Sequence, residues 1–169
     1  SASALIGLIV LVVFTVGLAS LIGYVHPIRS VATPRASPPG IVFSIVWPIL
    51  YTLMAVALWL FLTASTSELS TDENAARTVA IVFFLLQLSL NYAWMPAYRG
   101  GKGARSALYV LLATLATTLV VCFAGIGCKQ WGASAALAPY VAWLVFALYL
   151  NAKAVENTTR SVQDALYEA

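Results

Sequence analysis

Charged residues are scarce in this 169-residue chain, because Asp, Glu, Lys and Arg together make up only 9% of it. A soluble domain carries roughly 25% charged residues, so too few are present here to cover a water-facing surface. Apolar residues make up 62% of the chain, which is typical of a membrane protein. The composition therefore excludes soluble enzymes and nucleic-acid-binding modules.

Histidine and cysteine are also rare, with one histidine and two cysteines in the whole chain. Cys122 and Cys128 are six residues apart, which is not the spacing of a metal site or of a redox pair. His26 precedes Pro27 after an apolar run, so we expect it in an interfacial loop. The sequence thus predicts no metal site and no required cofactor.

Five apolar stretches are each long enough to cross the hydrocarbon layer, for which a helix needs about 20 residues. None carries a charge away from its ends, and none alternates as barrel strands do. We therefore predict an all-α fold, a single five-helix membrane domain over residues 1–169 with a polar tail at 153–169. The predicted spans are residues 4–25, 40–63, 78–98, 104–125 and 133–152.

The segments outside the spans differ in character. Prolines make the connection 26–39 extended, whereas 64–77 is a polar loop. Ser70 or Thr71, with Glu73 or Asn74, could cap the start of the third helix. The tail continues helix five as a weak apolar stripe that could lie on the membrane or on a partner, or be a solvated extension. The stripe consists of Val155, Val162 and Leu166.

Basic residues are distributed unequally between the two sides of the predicted bundle. The N-terminus and the connections 64–77 and 126–132 carry two of the nine Lys and Arg residues, and the other side carries seven. Because cytoplasmic loops are enriched in Lys and Arg, the C-terminus is predicted to face the cytoplasmic side.

Amides and aromatic side chains recur at helical spacing on three spans, and no ionisable group lies among them, which argues against a pump. Either the aromatics fill space while the amides bond between helices, or the stripes converge on a cavity for a flat apolar ligand. The spacing leaves both interpretations open. The stripes are Trp47, Tyr51 and Met54; Gln87, Asn91, Trp94 and Tyr98; and Tyr140, Trp143, Ala147 and Asn151.

Small residues form a ridge on the third span, opposite the Gln87 and Asn91 face. Ser89, Ala93 and Ala97 follow the small-xxx-small spacing that lets helix backbones approach closely. The ridge could be the seam of a homodimer or could pack against another helix of the same bundle.

Three segments together resemble one family. PPGIVFSIVWPILYTLMAVALW, LQLSLNYAWMPAY and APYVAWLVFALYLN, on helices two, three and five, are similar to motifs of the TspO/MBR family. This is the family of the mitochondrial translocator protein, also called the peripheral benzodiazepine receptor, and of the bacterial tryptophan-rich sensory proteins. The resemblance covers about residues 34–151.

The resemblance implies a TspO/MBR-like bundle, in a bacterial, mitochondrial or plastid membrane, whose pocket opens towards the connection between helices one and two. Members bind porphyrins such as protoporphyrin IX, sterols and synthetic benzodiazepine ligands, several form homodimers, and some bacterial ones degrade protoporphyrin in light. By motif, the implied ligand-binding residues are Pro39, Phe43, Trp47, Gln87, Asn91, Trp94, Trp143, Phe146 and Ala147.

Two departures from the family pattern bear on the ligand. Ala36 stands where members have a tryptophan before the double proline, so the pocket lid loses an aromatic ring. The sterol-recognition pattern is matched only loosely, by Val145, Tyr149 and Lys153. The loose match of the sterol-recognition pattern argues against sterol binding.

Three functions are compatible with these observations. The first is a membrane receptor or carrier for tetrapyrroles, stacked on Trp47 and Trp143, with loop arginines such as Arg29 or Arg35 pairing with propionates. The second is light-dependent porphyrin degradation through the same two tryptophans. The third is a structural subunit of a larger membrane complex, with lipid or pigment in the pocket.

Overall fold

Five long helices make up the computed structural model, which describes residues 2–25, 40–99 and 103–167. Each is long and apolar enough to cross a membrane, and no strand occurs in these ranges. The predicted all-α, five-helix membrane fold is therefore confirmed. The helices are α1 (Ala2–Val25), α2 (Gly40–Thr63), α3 (Thr71–Arg99), α4 (Gly103–Gly127) and α5 (Trp131–Tyr167), with a short 3-10 helix at Thr66–Glu68.

The start of α3 lies well before the predicted span, at Thr71 rather than residue 78. The predicted cap is confirmed for Ser70 and Glu73: the Ser70 backbone N–H donates to Glu73 Oε2 at 2.8 Å, and the Glu73 N–H donates to Ser70 Oγ at 3.3 Å. Asn74 Nδ2 also donates to the carbonyls of Ser70 and Leu69. The predicted polar loop 64–77 is therefore half helix.

The helices pack as a ring in the order α1, α2, α5, α4, α3, as their mutual contacts show. Contacts are most extensive between α3 and α4 and between α4 and α5, and α2 packs on α5. The bundle has two ends. We call the end where α1 finishes and α2 begins the α1–α2 end, and the opposite one the α2–α3 end.

Polar contacts at the α2–α3 end join segments that are distant in sequence. Lys129 Nζ lies 2.6 Å from Glu73 Oε1, which ties the α4–α5 turn to the first turn of α3. Arg77 donates from Nε to the Phe61 carbonyl at 2.6 Å and from a terminal nitrogen to the Leu62 carbonyl at 3.1 Å. These bonds satisfy carbonyls at the end of α2 that have no partner within the helix.

Helix α1 is the least buried of the five, and Thr15 is the one buried residue among its described side chains. It packs on α2 and touches α3 less. Near its start, Gly7 lies against the Trp59 ring so closely that a Cβ there would be 2.6 Å from a ring carbon. Most other large side chains of α1 point into the surrounding lipid layer: Leu5, Ile6, Ile9, Val10, Val13, Phe14 and Leu21.

Helix α5 is longer than the membrane is thick. Its 37 residues correspond to about 55 Å, whereas the hydrocarbon layer measures about 30 Å. The predicted tail thus continues the helix to Tyr167, with Glu156 bridging Lys153 and Arg160 on its exposed surface. Val162 and Leu166 of the tail are exposed, so nothing in the described chain covers this part of the stripe.

Replacing Gly7 with alanine is expected to destabilise the protein, because the added methyl group overlaps the Trp59 ring. Overpacking of this kind costs about 1–3 kcal/mol, which lowers the melting temperature by about 2–10 °C. Melting can be followed with a thiol-reactive dye that reaches the buried Cys128 only on unfolding.

The matched control is Gly17→Ala on the same helix, where an added Cβ meets nothing within 4 Å. Adding Trp59→Leu to Gly7→Ala should restore part of the stability. Equal melting temperatures for the two glycine variants would contradict the close packing of α1 on α2.

Candidate ligand-binding site

A cavity of about 370 Å³ lies in the half of the bundle next to the α1–α2 end. This volume is within the range of roughly 300–1,000 Å³ that small-molecule sites occupy. Four helices line the cavity. The lining residues are Val16, Ala19 and Ser20 of α1, Phe43, Ser44, Trp47, Pro48 and Tyr51 of α2, Asn91, Trp94 and Met95 of α3, and Leu111 of α4.

Aromatic rings form a connected group at the cavity. Trp47 stacks on Tyr51 with ring centroids 5.5 Å apart. Trp143 of α5 meets Trp47 edge-on at 6.2 Å and Phe43 at 5.5 Å. Phe146 packs against Trp143 at 5.6 Å. The indole of Trp47 is thereby held between rings of α2 and α5, as a rigid apolar surface.

The polar floor of the cavity is a hydrogen-bonded bridge of Tyr51, Asn91 and Tyr140, which we call the polar bridge. The Tyr51 hydroxyl donates to Asn91 Oδ1 at 2.5 Å, and Asn91 Nδ2 donates to the Tyr140 hydroxyl oxygen at 2.8 Å. All three residues are buried. One amide thus joins α2, α3 and α5, and its two polar atoms are already used within the protein.

The cavity lining is uncharged throughout the described residues. Its polar groups are the side chains of Ser20, Ser44, Tyr51 and Asn91 and the indole N–H groups of Trp47 and Trp94, and the remaining lining is apolar. Within the described ranges, no three His, Cys, Asp or Glu side chains lie close enough to hold a metal ion. Such a lining suits a ligand that is mainly apolar and carries its charges, where it has any, at the periphery.

The residues named from the sequence fall into three groups. Phe43, Trp47, Asn91 and Trp94 line the cavity. Pro39 lies outside the described residues, as do Arg29, Arg35 and Ala36, and the side chain of Tyr98 is not described either. The others do not line the cavity. Trp143, Phe146 and Ala147 lie on α5, behind the lining residues, and Gln87 lies deeper in the bundle.

Gln87 is 1% exposed, and neither of its amide atoms has a hydrogen-bond partner among the described residues. It lies one turn of α3 from Asn91, away from the α1–α2 end. Leaving a buried polar group unpaired costs about 1–3 kcal/mol. Gln87 therefore differs from Asn91, whose amide is fully engaged in the polar bridge.

Sequence reasoning missed the contribution of α1 to the cavity. Val16, Ala19 and Ser20 line it, yet α1 carries no aromatic or amide stripe that would mark one face. The signal that was available is side-chain size, because Gly17, Ala19 and Ser20 interrupt a run of otherwise bulky residues. Leu111 and Met95 are ordinary apolar residues, and spacing alone does not single them out.

Comparison with known proteins shows the family of this chain. The sequence pattern of the TspO/MBR family matches residues 4–156. The chain belongs to the TspO/MBR family. It is 36% identical over 123 residues to a translocator protein homolog of Schizosaccharomyces pombe, covering 70% of this chain and 69% of that protein.

Other TspO/MBR relatives come from distant organisms. The chain is 32% identical over 120 residues to the tryptophan-rich protein TspO of Chlorobaculum tepidum, covering 70% of each protein. It is 32% identical over 124 residues to the translocator protein of Ovis aries, covering 72% of this chain and 69% of that protein. Family membership and five spanning helices together make it an integral protein of a bacterial or organellar membrane.

Replacing Tyr140 with phenylalanine is expected to destabilise the bundle, since it removes the hydroxyl that accepts from Asn91 Nδ2. The expected loss is about 0.5–2 kcal/mol in the free energy of unfolding. Tyr109→Phe is the matched control, because Tyr109 is 69% exposed.

A double-mutant cycle with Tyr51→Phe tests whether the two phenols act through the same amide. We expect the two losses to be non-additive. Equal melting temperatures of Tyr140→Phe and Tyr109→Phe in the dye assay would contradict a stabilising role of the polar bridge.

Proposed function

We propose that this protein is a membrane receptor or carrier that binds a flat, mainly apolar ligand of the tetrapyrrole class in the cavity. The observation that carries the proposal is the uncharged cavity with Trp47 exposed to it and held by Tyr51 and Trp143. An indole fixed in this way offers a flat surface on which a macrocycle stacks without reorganisation. Lipid is the alternative occupant of the same site.

Family membership supports the proposal. The relatives include translocator proteins and a tryptophan-rich sensory protein, names that denote translocation and sensing. An apolar cavity inside a membrane bundle suits either activity, because both begin with binding of a ligand.

The proposed binding residues have different roles. Phe43, Trp47 and Trp94 would contact the ligand, and Asn91 would hold the floor of the cavity. Trp143, Phe146 and Ala147 of α5 would support the Trp47 ring from behind. Gln87 would pair with a polar group that reaches below the polar bridge. Arg29 and Arg35 would pair with ligand carboxylates on the cytoplasmic side, where the distribution of basic residues also predicts the C-terminus.

The first test is a titration in the dark with protoporphyrin IX, followed by tryptophan fluorescence. Saturable quenching is expected in the parent protein, and affinity should fall by about tenfold in Trp47→Phe as the stacking surface shrinks. Trp131→Phe is the control, because Trp131 is 63% exposed and lies at the α2–α3 end.

Trp143→Phe should weaken binding less than Trp47→Phe, since Trp143 acts through its contact with Trp47. Illumination of the complex then tests light-dependent degradation, which the contact between Trp47 and Trp143 favours as a second function. The absence of saturable binding in the folded parent would contradict the proposal and favour a structural subunit of a larger membrane complex.

We further propose a homodimer through the ridge of Ser89, Ala93 and Ala97. Ser89 and Ala93 are exposed in the bundle, so this part of the ridge does not serve packing within one copy. Ala93→Trp is expected to shift the protein towards monomer in detergent, measured by light scattering. Ala113→Trp on the exposed surface of α4 is the control, and an unchanged mass for Ala93→Trp would contradict this seam.

A further inference from the structure

The cavity reaches the lipid-facing surface of the bundle between α1 and α2. Three of its lining residues, Ser20, Ser44 and Pro48, are themselves exposed. We call these three residues the rim. On α2, Ser44 and Pro48 belong to a helical row with Ile41 and Thr52 that is exposed along its length. The cavity wall and the lipid-facing surface therefore share residues on this side.

Helix α1 has the matching arrangement. Ser20 lies in an exposed row with Val13, Gly17 and Tyr24, and it also lines the cavity. A Cβ on Gly17 would meet nothing within 4 Å, so no other side chain lies over this position of the row. Small side chains on both helices thus leave a gap where leucine or isoleucine would close the surface.

Helix α1, on one side of this gap, is also the least buried helix of the bundle. In hydrocarbon, apolar side chains gain little by leaving lipid for protein, so few forces draw α1 to the bundle. Next to the cavity, the Tyr92 hydroxyl donates to the carbonyl of Thr15 at 2.9 Å. Further away, Gly7 is packed on Trp59. A displacement of α1 near Ser20 therefore breaks one hydrogen bond and the packing of Val16 and Ala19 on the core.

We infer that the ligand enters the cavity sideways from the bilayer, through the rim between α1 and α2. The inference rests on the proposed function, and it narrows the class of ligand. A molecule that takes this route must dissolve in the membrane and be uncharged over the part that passes the rim, because charges in hydrocarbon are costly. Carboxylates, where present, stay at the level of the lipid headgroups.

The test measures rates of protoporphyrin IX binding to the full chain in lipid nanodiscs by stopped flow. Ser20→Phe and Ser44→Phe place bulky rings at the rim. Ile45→Phe is the matched control, because Ile45 faces lipid beside Ser44 and does not line the cavity. Both rim variants should slow association and dissociation roughly tenfold together, since entry and exit share the gated path. The expected signature is a slower rate in both directions, which a ring that only fills the cavity would not give.

A second variant should act in the opposite direction. Tyr92→Phe removes the hydroxyl that holds α1 and keeps the ring that stacks on Tyr51. Dissociation should become about two- to tenfold faster, as expected for the loss of one hydrogen bond. Tyr109→Phe serves as the control. Unchanged dissociation in Tyr92→Phe would overturn the part assigned to α1.

The outcomes separate this inference from the proposed function. A parent protein without saturable binding contradicts the proposed function, and the inference falls with it. Saturable binding in the parent, with rim variants whose rates equal those of Ile45→Phe, overturns the lateral route alone and indicates entry at the water-facing end of the bundle. Rim variants that lose affinity only through faster dissociation also overturn the lateral route, because a ring that fills the cavity would speed dissociation without slowing association.

Discussion

The amide of Asn91 is the interaction on which the arrangement of the bundle depends. Apolar helices surrounded by lipid gain little free energy by meeting one another, so polar bonds and close packing decide which helices are neighbours. Asn91 accepts from Tyr51 and donates to Tyr140, which brings α2, α3 and α5 to one point. Trp47 stacks on Tyr51, and Trp143 lies three residues beyond Tyr140, so the aromatic rings are positioned by the same bridge.

The number of helices could be predicted from the sequence because the thickness of the hydrocarbon layer sets the length of the apolar stretch in each. Where a helix extends beyond its apolar span, capping residues rather than hydropathy set its end, and the sequence predicted such a cap at Ser70 with Glu73. The first turns of α3 are an example: Glu73 and Arg77 are charged, yet the capping box with Ser70 makes the segment a helix.

The cavity was predicted less completely, for a physical reason. Helical spacing shows which residues share a face but not what that face meets. Gln87 and Asn91 lie on one stripe, yet one turn of the helix separates a residue of the core from a residue of the cavity. The two interpretations of the stripes each describe part of the molecule, because Asn91 bonds between helices while Trp47 and Trp94 line a cavity. Helix α1 carries no aromatic or amide stripe, so only its small residues at Gly17, Ala19 and Ser20 could have marked the cavity.

The two ends of the bundle differ in how tightly they are closed. Towards the α2–α3 end, large side chains such as Met54, Phe61 and Phe84 are fully buried, and Arg77 and the Glu73–Lys129 pair cover the helix ends. The cavity is thus bounded on that side by a packed core. Passage of a ligand from one face of the membrane to the other would require rearrangement of these residues, whereas binding and release on the cavity side would not.

The polar bridge also has a consequence for membrane insertion during synthesis, because its two hydrogen bonds can form only at different times. Helix α3 has the lowest mean hydropathy of the five spans, 1.6 against 2.9 for α1, because it carries Gln87 and Asn91. Of the two partners of Asn91, Tyr51 is synthesised before α3 enters the membrane and Tyr140 long after it. In the nascent chain, Asn91 Oδ1 can therefore accept from Tyr51 as soon as α3 is inserted, whereas Asn91 Nδ2 has no partner until α5 is made. A chain truncated before α5 would leave this amide donor unpaired in hydrocarbon.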